Sequence, residues 1–222
     1  MDWFETIDAY CERTNTAFWS EPLNAITNAA FLLAALIVFV RSRGGARPGL
    51  VEMALIALVS VIGVGSFLFH TFATRWAGLA DVLPITVFIF AYFAYALRRF
   101  VRLGWIATAI CTLLFFVVSP LAEPVFSPIV GGSAAYLPGL FAMLGIGGFL
   151  LAGRHPAGRL VFAAGIVFTA SLAFRIADDP LCDIMPLGTH FLWHVFNAVT
   201  LGLLLTAATR FGALPDKHRA AA

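Results

Sequence analysis

Three imidazoles, a carboxylate and a hydroxyl stand out in a chain that is otherwise largely apolar: His70, His190 and His194, with Asp81 and Ser66. His190 and His194 are four residues apart, so on a helix they share a face about 6 Å from one another. Two imidazoles so placed are a familiar pair of metal ligands, and a third from another segment would give a three-histidine site with an open fourth position. Zinc suits that donor set, as it takes imidazole nitrogens tetrahedrally and activates water near neutral pH. Asp81 would then either accept the proton of that water or orient a histidine. Ser66, one turn before His70, would face the water or an oxyanion, or else bond back to the helix carbonyl four residues earlier. Packing glue between helices is the plainer reading of each histidine taken singly.

The elements that must position these groups are membrane helices. Hydrophobic residues make up 61% of the chain and charged residues 12%, whereas a soluble domain carries about 25% charged residues. Continuous apolar runs without strand alternation favour helices over a barrel. The expected fold is therefore a single all-α domain over residues 1–222, a seven-helix transmembrane bundle behind an acidic N-terminal segment, 1–23, and ending in a tail, 207–222. The seven helices are expected at about 24–40, 51–69, 79–97, 103–118, 134–151, 160–174 and 188–206. Between the fourth and fifth, Pro120, Glu123, Pro124 and Pro128 read as a loop, and so does 175–186 before the seventh. The start, Met1-Asp2-Trp3-Phe4-Glu5, lacks a basic region and reads as no cleavable signal peptide.

Basic residues set the expected orientation. Arg41, Arg43, Arg47, Arg98, Arg99, Arg102, Arg154, Arg159, Arg210, Lys217 and Arg219 fall on one side, against Arg13, Arg75 and Arg175 on the other. The positive-inside rule then places the N-terminus outside and the C-terminus in the cytoplasm of a multi-pass inner-membrane protein. A formal net charge of +2 gives no sign of a nucleic-acid partner, since these cations mark topology. In this topology Ser66, His70, Asp81, His190 and His194 all lie at the outer ends of their helices. His155 and His218 fall on the cytoplasmic side and are expected to be solvated. Asn24, Thr27 and Asn28 read as interhelical glue, and Arg175 and Asp178, three apart, as a structural pair.

Taken together, Glu21-Pro22-Leu23-Asn24 with Asn28, Gly65-Ser66 with His70, Asp81 with Leu83-Pro84, and Gly188-Thr189-His190 with Trp193-His194 resemble the alkaline ceramidase family. Its wider superfamily includes the adiponectin and progestin receptors and GPI-lipid remodelling proteins. The resemblance spans nearly the whole chain. It implies seven helices, a zinc held by His70, His190 and His194, water activation by Asp81, support from Ser66, and hydrolysis of the ceramide amide. Eukaryotic members also bind calcium through an acidic N-terminal segment with a Cys-Glu pair. Cys11-Glu12 matches that pair, with Asp8, Asn15 and Glu21 as companions; a solvated acidic face is the alternative.

Cys11 and Cys182 both fall on the outer side, where an oxidising compartment favours a disulfide, and the resemblance points the same way. Cys111 reads as an apolar filler within a helix. The function so expected is zinc-dependent, intramembrane cleavage of the N-acyl bond of ceramide-like lipids. Its rivals are a receptor or lipid sensor with a structural zinc, and a hydrolase of other acyl lipids.

Overall fold

The computed structural model describes residues 2–44 and 48–212. The described residues are helical apart from the N-terminal stretch before Pro22, the connections and one isolated antiparallel bridge between Thr6 and Thr74. The helices are α1 (Pro22–Thr27), α2 (Ala29–Ser42), α3 (Leu50–Phe72), α4 (Arg75–Arg99), α5 (Trp105–Val118), α6 (Ala122–Val130), α7 (Leu137–Ala152), α8 (Gly158–Leu181) and α9 (His190–Phe211). Arg47, Lys217, His218 and Arg219 lie outside the described residues.

Six helical stretches are long and apolar enough to cross a membrane, where seven were expected. The difference lies at Trp105–Ala152, which runs as one stretch of 48 residues. The proline-rich segment expected to be a loop is instead helical, through a 3-10 turn at Ser119–Leu121, α6, and a second 3-10 turn at Gly131–Tyr136. Pro120 and Pro124 sit in the first turns of their elements, where no N–H partner is needed, so they initiate helix rather than break it. The expected loop at 175–186 is likewise helical as far as Leu181. In the other direction, the first expected helix is divided at Asn28 into α1 and α2.

The core lies where α2, α3, α4, α8 and α9 meet, around Phe31, Val59, Ile62, Phe88, Val161 and Leu205. The outer surface is just as apolar. Ile106, Leu113, Leu114 and Val117 of α5 are exposed, and Thr108 is the only buried residue of that helix. A rim of exposed aliphatics of this kind matches a lipid surround and not water. At the far end of the bundle Arg98 lies 4.8 Å over the Trp105 ring and Phe100 meets His155 at 5.7 Å, which brings those basic connections together.

Two glycines permit the packing that builds the opposite end. A Cβ at Gly65 would come within 2.1 Å of the Ala80 carbonyl oxygen, so α3 and α4 approach closely just beside Ser66 and Asp81. Gly188 has φ of +62°, and a Cβ there would come within 2.1 Å of an Asp178 carboxylate oxygen. That residue must be glycine for the chain to turn into α9 against α8.

Candidate metal centre

His70 belongs to the last turn of α3, Asp81 to the second turn of α4, and His190 and His194 to the first two turns of α9. Helix periodicity aligns each with a buried face: Ile62, Ser66 and His70 recur every four residues on α3, and His190, His194 and Asn197 recur on α9. The three imidazoles are at most 2% exposed. Their centroids are 4.7 to 5.2 Å apart, and one nitrogen from each lies within 4.8 Å of the others.

The hydrogen bonds show which nitrogen each ring keeps free. His70 Nδ1 is 2.6 Å from Glu21 Oε2, a carboxylate that can only accept. His194 Nδ1 is 3.0 Å from Thr27 Oγ1, whose own hydroxyl donates to the Leu23 carbonyl at 2.7 Å. Both rings therefore carry their proton on Nδ1 and turn the Nε2 lone pair inward. His70 Nε2, His194 Nε2 and His190 Nδ1 are all buried without a hydrogen-bond partner. Three orphaned acceptors pointing at one space are costly unless a cation is shared among them. The donor set fits a zinc ion, being three neutral imidazoles with partners fixing two of the tautomers. Asp81 Oδ1 is a further buried oxygen without a partner, and Ser66 is buried beside it where α3 meets α4.

Several residues that frame the site carry no motif of their own. Tyr10 stacks on His190 with centroids 3.7 Å apart and also borders His70 at 5.2 Å. Asp178 receives the backbone N–H groups of Thr189 at 2.6 Å, His190 at 2.9 Å and Cys11 at 3.2 Å. It fixes the start of α9 and docks the N-terminal segment to it. The expected Arg175–Asp178 pair is not formed, because these backbone donors claim the carboxylate and Arg175 turns to Ser133. Thr27, read as glue, directs His194. Cys11 and Cys182 form a disulfide, and Cys111 is free.

Glu21 and Glu12 are both spent inside the protein. Glu21 takes His70 and Asn24 on one oxygen and the Arg13 Nε on the other. Arg13 also donates to the backbone carbonyls of Asn15 and His70, each at 3.1 Å. Burial alone would push the Glu21 carboxyl up, but His70, Asn24 and the Arg13 guanidinium outweigh it and hold it below the usual carboxylate range. Glu12 accepts the Leu23 and Asn24 N–H groups at 2.7 and 2.8 Å, at the start of α1. The Asn15 side chain accepts the Ala17 N–H, and Asp8 is exposed. Among the described residues, the three histidines are the one group of histidine, cysteine or acidic side chains close enough to hold an ion. Of the residues expected to take calcium, Glu21 has the Arg13 guanidinium against it.

An apolar groove opens between α4, α7, α8 and α9. It is lined by Ile85, Phe88, Met143, Phe168 and Leu201 among others. Tyr136, Phe168 and Asn197 form its wall nearest the histidines, since Tyr136 and Phe168 lie 5.0 and 5.6 Å from the Trp193 ring. In comparison with known proteins, the family model described as Ceramidase matches residues 6–220. No curated protein matches the chain.

Proposed function

Since the chain belongs to the ceramidase family, whose name implies hydrolysis of amide bonds, we propose that it is a zinc-dependent intramembrane amidohydrolase cleaving the N-acyl bond of ceramide-like lipids. The observation that carries this reading is the set of three buried imidazole nitrogens, each lacking a partner and facing the others, with the free Asp81 oxygen beside α3.

His70, His190 and His194 are the ligands in this reading, and a zinc ion held there supplies Lewis-acid polarisation of the acyl carbonyl. Asp81 Oδ1 accepts a proton from the attacking water and passes it to the departing amine. Ser66 donates its hydroxyl toward the oxyanion that develops on the acyl oxygen. Glu21 and Thr27 hold two imidazoles in the required tautomer. The acyl chain lies in the groove between α4, α7, α8 and α9, which excludes water from the leaving side. In this reading the bundle crosses the inner membrane seven times, with Trp105–Ala152 supplying two of the crossings, and the histidine end faces outward.

A structural zinc in a lipid sensor would have a fourth protein ligand. The histidine cluster contains three among the described residues, which favours the hydrolase. Metal analysis of the purified protein together with assays on N-acyl and O-acyl lipids, with and without His194→Ala, tests the proposal. Zinc and amide turnover that both survive the substitution would overturn it, and turnover of esters alone would redirect it to another lipid class.

A further inference from the structure

One side chain on the wall of the apolar groove is chemically unlike its neighbours. Asn197 lies in α9 on the same face as His190 and His194, one turn beyond the second of them, and is 5% exposed. Residues so spaced stand about 5–6 Å apart between Cβ atoms, so its carboxamide borders the histidine cluster. The groove is otherwise lined by glycine, aliphatic and aromatic residues, with Tyr92, Tyr136 and Thr200 as its other polar members. Tyr92 and Thr200 spend their hydroxyl protons on the Leu204 and Phe196 carbonyls. The half-buried Tyr136 has its ring engaged by Arg175 and Trp193. Asn197 has no such outlet. Among the described residues its side chain makes no hydrogen bond, and its polar atoms are not sealed within the protein but open onto the groove. A carboxamide facing an apolar channel without a partner is costly unless an occupant supplies one.

The chemistry of the carboxamide says what that occupant carries. It donates through Nδ2 and accepts through Oδ1, so its match is a neutral group that also does both, a hydroxyl. Position says where the hydroxyl sits. With the acyl carbonyl at the histidines and the acyl chain in the groove, the carbons just past the carbonyl are the first to meet Asn197. Further along, the hydroxyls of Thr200 and Tyr92 are already given to α9, and the remaining wall is apolar.

Resting on the amidohydrolase reading above, we propose that Asn197 is a hydroxyl-recognition subsite, and that the preferred substrates are ceramide-like lipids whose acyl chain is hydroxylated at its second or third carbon. In the reaction, water adds its oxygen to the acyl carbon and the C–N bond breaks. The products are a hydroxy fatty carboxylate and a protonated amine. The chain hydroxyl is held and not consumed, so Asn197 selects the substrate and takes no part in the bond changes.

The experiment compares kcat/KM of the zinc-loaded protein in detergent on N-dodecanoylsphingosine and its 2-hydroxydodecanoyl and 3-hydroxydodecanoyl counterparts, which share one amine half. At least one hydroxyacyl substrate should be preferred by about tenfold or more, because a polar group built to meet a hydroxyl is left unpaired by the plain chain. Asn197→Leu, close in volume and suited to an apolar wall, should bring that ratio near one, while Asn197→Ser keeps part of it. Should Asn197→Leu fail to fold, Asn197→Ala carries the same expectation. Thermal shift in detergent gives a readout apart from turnover: the parent should bind 2-hydroxydodecanoate or 3-hydroxydodecanoate more tightly than dodecanoate, and Asn197→Leu should not. A ratio near one in the parent, or one untouched by these substitutions, overturns the subsite and leaves the amidohydrolase standing. If Asn197→Leu changes only the preference for N-dodecanoylsphingosine over N-dodecanoyl octadecylamine, whose amine half has no hydroxyl, Asn197 reads the amine half and the proposal falls. No amide turnover, with the Asn197-dependent preference among the free acids intact, would remove the amidohydrolase reading and keep the subsite; loss of both would remove both.

Discussion

Two glutamates are buried at opposite ends of this bundle, and they differ in everything except burial. Glu21 is 2% exposed and Glu52 5%. Glu21 holds an imidazole, an amide and a guanidinium at once. Glu52, in the first turn of α3, accepts the Tyr95 hydroxyl at 2.6 Å, and Tyr95 in turn lies 3.1 Å from the Ala208 carbonyl. The first carboxylate transmits order from the N-terminal segment to a ring of the histidine cluster. The second ties α3 to α4, and through Tyr95 to α9. Burying a carboxylate is costly in either place, so the cost alone does not identify a functional end; the partners do.

Substitutions at the two ends should separate these roles, beginning with the ligand set. His194→Ala removes one of three imidazoles, so zinc content and amide turnover should both fall to background in metal analysis and activity assays. Glu21→Gln leaves the ring its neighbour but weakens its anchoring, and zinc affinity or turnover should drop by about 10–100-fold. Competition with a chromogenic zinc chelator measures it. Arg13→Met strips the carboxylate of its buried counter-ion, which in comparable pairs costs about 3–5 kcal/mol of stability. Thermal unfolding in detergent should show the loss directly. Glu52→Gln keeps a hydrogen-bonding partner for Tyr95 and should cost about 1 kcal/mol with zinc content and turnover retained. A Glu52→Gln loss of activity as large as that of Glu21→Gln would erase the contrast. The smallest effect should come from a calcium-selective chelator, which should leave turnover unchanged because Arg13 already supplies the positive charge at Glu21.

The placement of helices by apolar runs was legible because a membrane helix must bury its backbone and show oil on every side. Likewise, the three histidines could be brought to one end by counting crossings and weighing arginines. What surrounds them could not be read in this way. The Glu21–His70 contact links residues 49 apart, and Thr27–His194 links residues 167 apart, so no local spacing announces either. Asp178 looked like a partner for Arg175 because i to i+3 neighbours face one another on a helix. The unsatisfied N–H groups at the start of α9 outcompeted the guanidinium, since a buried helix start must be capped. Glu21 and Glu12 were read for calcium from the family resemblance, and no local spacing announced that they also meet an arginine, a histidine and a helix start. Prolines at 120 and 124 were read as breakers, although at the first turn of an element they are starters.

The disulfide carries a consequence for how such a chain is made. Cys11 emerges from the ribosome early but its mate lies 171 residues later. For most of synthesis the N-terminal strap, with Tyr10 and Arg13, waits undocked. The last two imidazoles follow Cys182 within a single short stretch of translation. Oxidative closure and completion of the histidine cluster thus become neighbouring events in biogenesis, and a cell that delays one delays the other.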